Sequence, residues 1–228
     1  MQQICSIHGR PVYATELEHN EGVAETGTRL DPRQARTRAR VYAAALDVLR
    51  RQGIGATTFD AIARQAQVAR STLYRNWASR DDLLIEAIEE HAPSPGTAPG
   101  EPAAAQLEAA LLEIAAALND SSWGSIMPAA LAAVDASPAL AAGYRAFMTT
   151  LRAAFAQIIA DGKTTGELPA ALDQEDFTDA LLGPLFFRRL IRQLPADPAW
   201  IRQHLKRTLD AGGASPTHHG SVARARRP

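Results

Sequence analysis

The stretch from Thr57 to Arg80 constrains the fold of this chain more than any other part of the sequence. Its first half has apolar residues at the i, i+3, i+4 and i+7 positions of a helix, namely Phe59, Ile62, Ala63 and Ala66. Thr58 precedes them and is placed to accept a hydrogen bond from a backbone N–H of the first helical turn. The pattern predicts a short amphipathic helix that begins after Thr58.

A second short helix is predicted from Ala69 to Asn76, after a turn at Gln67 and Val68. Leu73 is its buried residue, and the side chains expected to point outward are Arg70, Ser71, Thr72, Tyr74 and Arg75. Hydroxyl and guanidinium groups on an exposed short helix suit contacts in a DNA groove. The two helices and their turn therefore predict a helix-turn-helix.

Basic residues are concentrated around this motif. The whole chain has a net charge of −1, whereas residues 33–80 contain ten Arg against two acidic residues. A basic block on a near-neutral chain is typical of a module that binds nucleic acid. The alternative, a solvated charged surface, would usually mix the two signs.

Several runs in this region resemble the DNA-binding domain of TetR-family transcriptional regulators. They are Ile62-Ala63, STLYR at 71–75, Trp77, and SRDDL at 79–83. The resemblance extends from Arg36 to about Glu90. Gln67 departs from it, because the family usually has Gly at this turn position. If Gln67 has a positive φ, the left-handed conformation costs on the order of 1 kcal/mol for a residue with a side chain.

The resemblance implies an all-α protein, with an N-terminal three-helix helix-turn-helix DNA-binding domain and a C-terminal helical bundle for regulation and dimerisation. The expected parts are a disordered extension at 1–30, the DNA-binding domain at 31–80, a ligand-binding and dimerisation domain at 81–211, and a disordered tail at 212–228. Apolar spacing and Pro or Gly breaks predict helices at 32–52, after the N-cap Ser79, and at 103–119, 125–135, 138–161, 173–194 and 198–211.

The expected partners are double-stranded DNA with a palindromic operator, a second copy of the chain, and a small-molecule effector. The second helix of the motif is expected in the major groove, with half-sites about one helical turn apart. The residues predicted near base edges are Arg70, Ser71, Thr72 and Arg75. Those predicted at phosphates are Arg33, Arg36, Thr58, Tyr74, Asn76 and Arg80. Ring packing alone is the alternative role for Tyr74.

An effector site is expected among the helices of the C-terminal part. Its candidate lining residues are Trp123, Met127, Tyr144, Phe147, Met148, Leu151, Phe155 and Phe186. Because these side chains are apolar or aromatic, they favour a hydrophobic effector. Ordinary core packing is the alternative role for each of them.

The predicted helix 173–194 is apolar nearly all round at its centre, so every side of it must be covered. In the TetR family the second partner is usually the other subunit. The predicted interface residues are Leu181, Leu182, Pro184, Leu185, Phe187, Arg188, Ile191, Trp200 and Leu205. The alternative is a buried core helix in a monomer. Pro184 is expected to kink the helix.

Other function classes find little support in the sequence. No phosphate loop, metal-ligand pair or nucleophile motif occurs, so we expect no enzyme, no cofactor and no metal site, and His218-His219 alone is not one. Cys5 is the only cysteine, and no apolar run is long enough to span a membrane. We expect a cytoplasmic protein. The alternatives left open are a protein–protein adaptor that does not read DNA, and an activator without a small ligand.

Overall fold

The computed structural model describes residues 5–7, 10–12, 31–120 and 123–213. The chain divides into two compact units, residues 1–35 and 36–228. In the first unit, strands β1 (Cys5–Ile7) and β2 (Arg10–Val12) pair antiparallel. The all-α class predicted from the sequence includes no strand, so this short pair is a departure from the prediction. Most of the predicted N-terminal extension, and residues 214–228 of the predicted tail, lie outside the described residues.

Helices make up most of the other described residues, which confirms the all-α fold class. Their bounds are α1 Pro32–Ala56, α2 Phe59–Ala66, α3 Arg70–Asn76, α4 Arg80–His91, α5 Ala103–Asn119, α6 Met127–Ala133, a 3-10 turn Val134–Ala136, α7 Pro138–Thr165, α8 Gln174–Phe186, a π-helical turn Phe187–Ile191, and α9 Pro198–Gly213. The last two residues of α9 lie within the predicted tail.

Capping hydrogen bonds confirm the predicted starts of α4 and α9. The Ser79 hydroxyl accepts from the Asp82 N–H at 3.1 Å at the start of α4. Asp197 Oδ1 accepts from the Trp200 N–H at 2.9 Å at the start of α9. Each bond satisfies one of the backbone donors that have no partner inside the helix.

Two helix ends differ from the prediction. α1 was expected to end at residue 52, and Gly53 does break its regular geometry, with φ 74° and ψ 175°, a region open almost only to glycine. α7 was expected to end before Gly162, but it continues to Thr165. Gly162 is buried instead, and a Cβ at this residue would lie 2.8 Å from the Cβ of Ala103. Gly162 therefore permits close packing of α5 and α7.

The predicted helix 173–194 is divided. α8 continues through Pro184 to Phe186, and the chain then forms the π-helical turn, in which the Arg192 N–H donates to the Phe187 carbonyl at 3.0 Å. Such turns insert an extra residue and re-aim the side chains that follow.

Two hydrophobic cores lie within residues 36–228. We call α1 from Arg36 through α4 the head, and α5 to α9 the body. The head core contains Ile62, Leu73 and Leu83, together with residues from α6 and the start of α7. The body core contains Leu111 and Phe155. α4 supplies buried residues to the head core, and its Ile88 packs against both cores.

Candidate nucleic-acid interface

α2 forms as the apolar spacing predicts. The Thr58 hydroxyl accepts from the Ala61 N–H at 3.2 Å, which confirms the predicted N-cap. The four predicted apolar residues are buried: Phe59, Ile62, Ala63 and Ala66. The helix is thereby fixed against the head core, with its polar side outward.

Gln67 adopts the left-handed conformation that the turn requires, with φ 53° and ψ 49°. The Val68 N–H donates to the Ala63 carbonyl at 3.0 Å, closing the end of α2. Arg40 reaches across from α1, and its guanidinium donates to the Ala66 carbonyl at 2.5 Å. Arg40 thus supports the turn, a role that the sequence did not indicate.

α3 presents a polar surface on a buried anchor. Leu73 is fully buried, which holds the helix to the head. The predicted contact residues that are exposed are Arg70, Ser71, Tyr74, Arg75 and Asn76. Thr72 is half-buried, and its carbonyl accepts from Asn76 Nδ2 at 2.6 Å. Five of the six predicted contact residues on α3 are therefore accessible.

Two of these side chains have partners on α2. Arg70 Nε lies 2.5 Å from Asp60 Oδ1, in a pair whose two side chains are both largely exposed. An exposed pair of this kind contributes little to stability, so a phosphate or base could replace Asp60. The Tyr74 ring meets the Phe59 ring edge to face at 4.9 Å, yet Tyr74 stays 59% exposed. The Tyr74 ring therefore packs and remains accessible.

Arg80 is engaged within the head. Its Nε donates to Asp81 Oδ1 at 2.7 Å, and one terminal nitrogen donates to the Ile54 carbonyl at 3.1 Å. The side chain is only 30% exposed. In the structure Arg80 thus binds the C-terminal end of α1, and the phosphate contact expected from the sequence stays a prediction. Arg33 and Arg36 are exposed near the start of α1.

The carboxylate of Glu86 on α4 accepts hydrogen bonds from three other side chains of the head. Its Oε2 accepts from Trp77 Nε1 at 2.7 Å, from the Tyr42 hydroxyl at 2.8 Å and from Arg38 at 2.5 Å. The Arg38 guanidinium carbon also lies 5.6 Å from the centre of the Trp77 ring. Burial, followed by the hydrogen bond to Glu86, raises the pKa of Tyr42 well above its usual range. Tyr42 therefore remains a hydrogen-bond donor at physiological pH.

Sequence reasoning missed this Glu86 cluster. Its one signal is that Glu86 flanks the buried residues Leu83 and Ala87 on α4, where a polar side chain is close to the core. Tyr42 and Arg38 are 44 and 48 residues away from Glu86, so spacing alone could not pair them with it.

Comparison with known families agrees with this geometry. The family described as "Bacterial regulatory proteins, tetR family" matches residues 41–87, and "Tetracyclin repressor-like, C-terminal domain" matches residues 100–208. Together the two matches span more than half of the chain. The chain belongs to the TetR family. Its helix-turn-helix is thus the DNA-binding element of a transcriptional regulator.

Individual TetR-family relatives support the assignment. The chain is 27% identical over 172 residues to YdeS of Bacillus subtilis, described as an uncharacterized HTH-type transcriptional regulator, with 75% of this chain and 87% of YdeS covered. A TetR-family regulator from Rhodococcus sp. has a similar structure, with a TM-score of 0.63, 21% identity, and 78% of this chain and 98% of that chain covered.

FadR from Bacillus subtilis, solved in complex with stearoyl-CoA, has a TM-score of 0.57 and 17% identity, with 75% of this chain and 96% of that chain covered. At such identities the likeness of these two structures shows the fold alone.

An apolar cleft lies where α1 and α4 of this TetR-family head meet α6 and α7. Three predicted effector residues line it, namely Met127, Tyr144 and Phe147. The other five lie in or against the body core: Trp123, Met148, Leu151, Phe155 and Phe186. The volume of the cleft is about 520 Å³ when the open solvent beside it is included. The part that the centre of a water molecule could reach is about 30 Å³.

The predicted dimer residues fall into two groups. Four leucines are buried inside their own chain, so packing within the subunit accounts for them: Leu181, Leu182, Leu185 and Leu205. On the surface, Pro184 is exposed, and Phe187 and Ile191 are 55% and 70% exposed. Arg188 and Trp200 are half-buried, with the guanidinium carbon 4.8 Å from the centre of the indole ring.

Within residues 5–7, 10–12, 31–120 and 123–213, no group of three or more His, Cys, Asp or Glu side chains could hold a metal ion. None of the helices in that part of the chain combines the length and hydropathy that a bilayer crossing needs.

Proposed function

We propose that this TetR-family regulator is a homodimeric repressor that binds a palindromic operator and is released by a small, largely apolar effector. A protein with this role works where the DNA is, so the proposal places it in the cytoplasm. The observation that carries the proposal is α3, a short helix anchored by buried Leu73 with a polar, basic outer surface.

Arg75, Ser71 and Arg70 are the proposed base-edge contacts, since all three are exposed on α3. Arg can donate two hydrogen bonds to the O6 and N7 atoms of guanine. The proposed phosphate contacts are Arg33, Arg36, Thr58, Tyr74 and Asn76, with the half-buried Thr72 in a supporting position. Phosphate contacts fix the position of α3, and base contacts supply the specificity.

The proposed dimer interface is the exposed apolar patch formed by Pro184, Phe187 and Ile191. On the same stretch Ala180 is exposed, and the space beyond Gly183 is open to 4 Å. In an antiparallel pair of α8 helices, the large Phe187 of each subunit could pack over these small residues of the other. A two-fold pair also matches a palindromic operator, because each half-site then receives one α3.

An effector can release the DNA only if it binds the DNA-incompetent state more tightly than the competent one. The cleft between head and body is the proposed site because its walls belong to both parts. FadR, which shares the fold, was solved with stearoyl-CoA, and this supports an effector with a large apolar part.

Fluorescence anisotropy with a labelled random-sequence duplex, titrated at several salt concentrations, tests the DNA-binding part of the proposal. We expect binding at low salt and a linear fall of log K with log salt, because counterions are released from the phosphates. Absence of binding at low salt would contradict the proposal and favour the protein–protein adaptor. For the direction of regulation, expression from the operator-bearing promoter should rise when the gene is deleted, and a fall would indicate an activator.

A further inference from the structure

Glu89 occupies an unusual position on the wall of the cleft. Among the described residues that line the cleft it is the only one with an ionisable acid or base, Tyr144 aside. Within the described part of the chain, its carboxylate accepts no hydrogen bond and forms no ion pair. The residue as a whole is exposed, at the edge of the cleft, yet partial burial and secondarily the charge of Glu86 raise the pKa of Glu89. The carboxylate therefore lacks a positive partner.

The remaining walls are apolar and aromatic. Leu49 comes from α1, Met127 from α6, and Tyr144 and Phe147 from α7. Phe147 is held in place by the Trp123 ring, whose centre is 6.3 Å away. Aromatic faces attract cations, and the attraction is stronger where water is excluded.

We propose that this cleft binds an organic cation with an apolar body, whose positive group lies at Glu89 and whose body lies between the α6 and α7 side chains. A neutral ligand would leave the Glu89 carboxylate without a positive partner, and an anion would be repelled by it. That this cleft is the effector site rests on the proposed function. Binding of the cation in the cleft does not depend on that function.

The closed cleft is too small for such a ligand. The space that the centre of a water molecule could reach is about 30 Å³, whereas ligand pockets usually measure about 300–1,000 Å³. α4 and α7 approach closely at Gly143, where an added Cβ would lie only 2.8 Å from Ile85 Cγ1. A ligand must therefore separate α4 from α6 and α7. α4 also carries Glu86, so this movement would act on the donors Arg38, Tyr42 and Trp77 of the head.

Three probes that share a phenylbutyl body separate the charge types: 4-phenylbutyl-trimethylammonium, 4-phenylbutanol and 5-phenylpentanoate. Isothermal titration calorimetry of the full chain measures their affinities. We expect the cation to bind about ten-fold more tightly than the alcohol, and the carboxylate to bind most weakly. Equal affinity for cation and alcohol, tighter binding of the carboxylate, or no binding of any probe would overturn the proposal.

The variant Glu89→Gln identifies the group responsible. We expect it to lose about ten-fold in cation affinity while its affinity for the alcohol is unchanged. Glu90→Gln is the matched control, since Glu90 is exposed like Glu89 and follows it on α4, but does not line the cleft. Phe147→Ala should lower the affinity for the cation and for the alcohol alike. If Glu89→Gln and Glu90→Gln bind the cation alike, the assignment of Glu89 is wrong.

DNA affinity of the same samples, measured by anisotropy, keeps the two proposals apart. A chain that binds DNA but none of the probes contradicts the cation site and leaves the DNA-binding proposal standing. A chain that binds the cation but no DNA retains the site and contradicts the regulator. The cation should weaken DNA binding of the native chain and of Glu90→Gln, and at the same concentration it should act less on Glu89→Gln.

Discussion

Trp77, the residue that follows α3, donates its indole N–H to Glu86 Oε2 of α4 at 2.7 Å. Trp77 and Tyr42, which donates to the same oxygen, are almost fully buried. One carboxylate oxygen therefore joins the end of α3 to α4, in addition to the packing of Leu73 in the head core, and this relationship connects stability of the head to DNA binding.

Replacing Glu86 by Ala should destabilise the protein, because two buried donors would lose their acceptor. A buried donor left without a partner costs about 1–3 kcal/mol. The free energy of unfolding from urea titrations measures the loss, and DNA affinity should fall as well. Glu90→Ala on the exposed side of the same helix is the control. Equal stability of the two variants would show that the Glu86 cluster contributes nothing.

Gln67→Gly should stabilise the protein, because Gln67 has a φ of 53° that glycine adopts without strain. Relief of the left-handed conformation is worth about 1 kcal/mol. Gln67→Ala keeps a Cβ and should bring no such gain, which makes it the matched control in the same urea titrations. A stability loss for Gln67→Gly would mean that the Gln side chain has a favourable role at the turn.

Arg75→Ala should weaken binding to the operator, once that sequence is known, by about 1–3 kcal/mol and relax the preference at one base position. Arg75 is exposed on α3. Arg207→Ala removes the same charge from the exposed surface of α9 and should have little effect. Competition anisotropy with single-base operator variants measures both. Equal losses at every base position would assign Arg75 to a phosphate instead.

Arg80→Ala distinguishes a structural role from a phosphate contact. Because Arg80 donates to the Ile54 carbonyl and to Asp81, its removal should lower the free energy of unfolding. The salt dependence of DNA binding should not change. If Arg80 instead contacts a phosphate, the slope of log K against log salt should decrease by about 0.9. Arg36→Ala, at an exposed position near the start of α1, is expected to show that decrease.

Ile191→Glu should convert the dimer to a monomer, since it puts a charge into the exposed apolar patch at Phe187 and Ile191. Sedimentation velocity measures the change, and circular dichroism should show unchanged helix content. Leu131→Glu is the control, because Leu131 is another exposed apolar residue, 49% exposed on α6. A native chain that sediments as a monomer, or an Ile191→Glu variant that stays dimeric, contradicts the proposed interface.

The sequence predicted the features that neighbours along the chain determine. The Thr58 and Ser79 caps and the buried anchor Leu73 each depend on residues within one or two helical turns. The positive φ at Gln67 agrees with the family resemblance, in which glycine usually occupies this turn position. Local hydrogen bonding and apolar spacing can be predicted from the order of the residues alone.

Other features depend on contacts between distant segments, and there the sequence was insufficient. Arg80 donates a hydrogen bond to a carbonyl 26 residues away, and Glu86 accepts one from a tyrosine 44 residues away. Leu181 and Leu185 were expected at a dimer interface, but they are buried within their own chain. An apolar helix must be covered on each side, yet its composition does not say by which segment.

Selection of bound duplexes from a random pool, at near-physiological salt, tests the central claim most directly. The account predicts enrichment of a palindrome whose half-sites each fit one α3, with the preference altered by Arg75→Ala. A pool without an enriched sequence, together with binding that disappears as salt rises, would leave only phosphate attraction and would contradict a sequence-specific dimeric regulator.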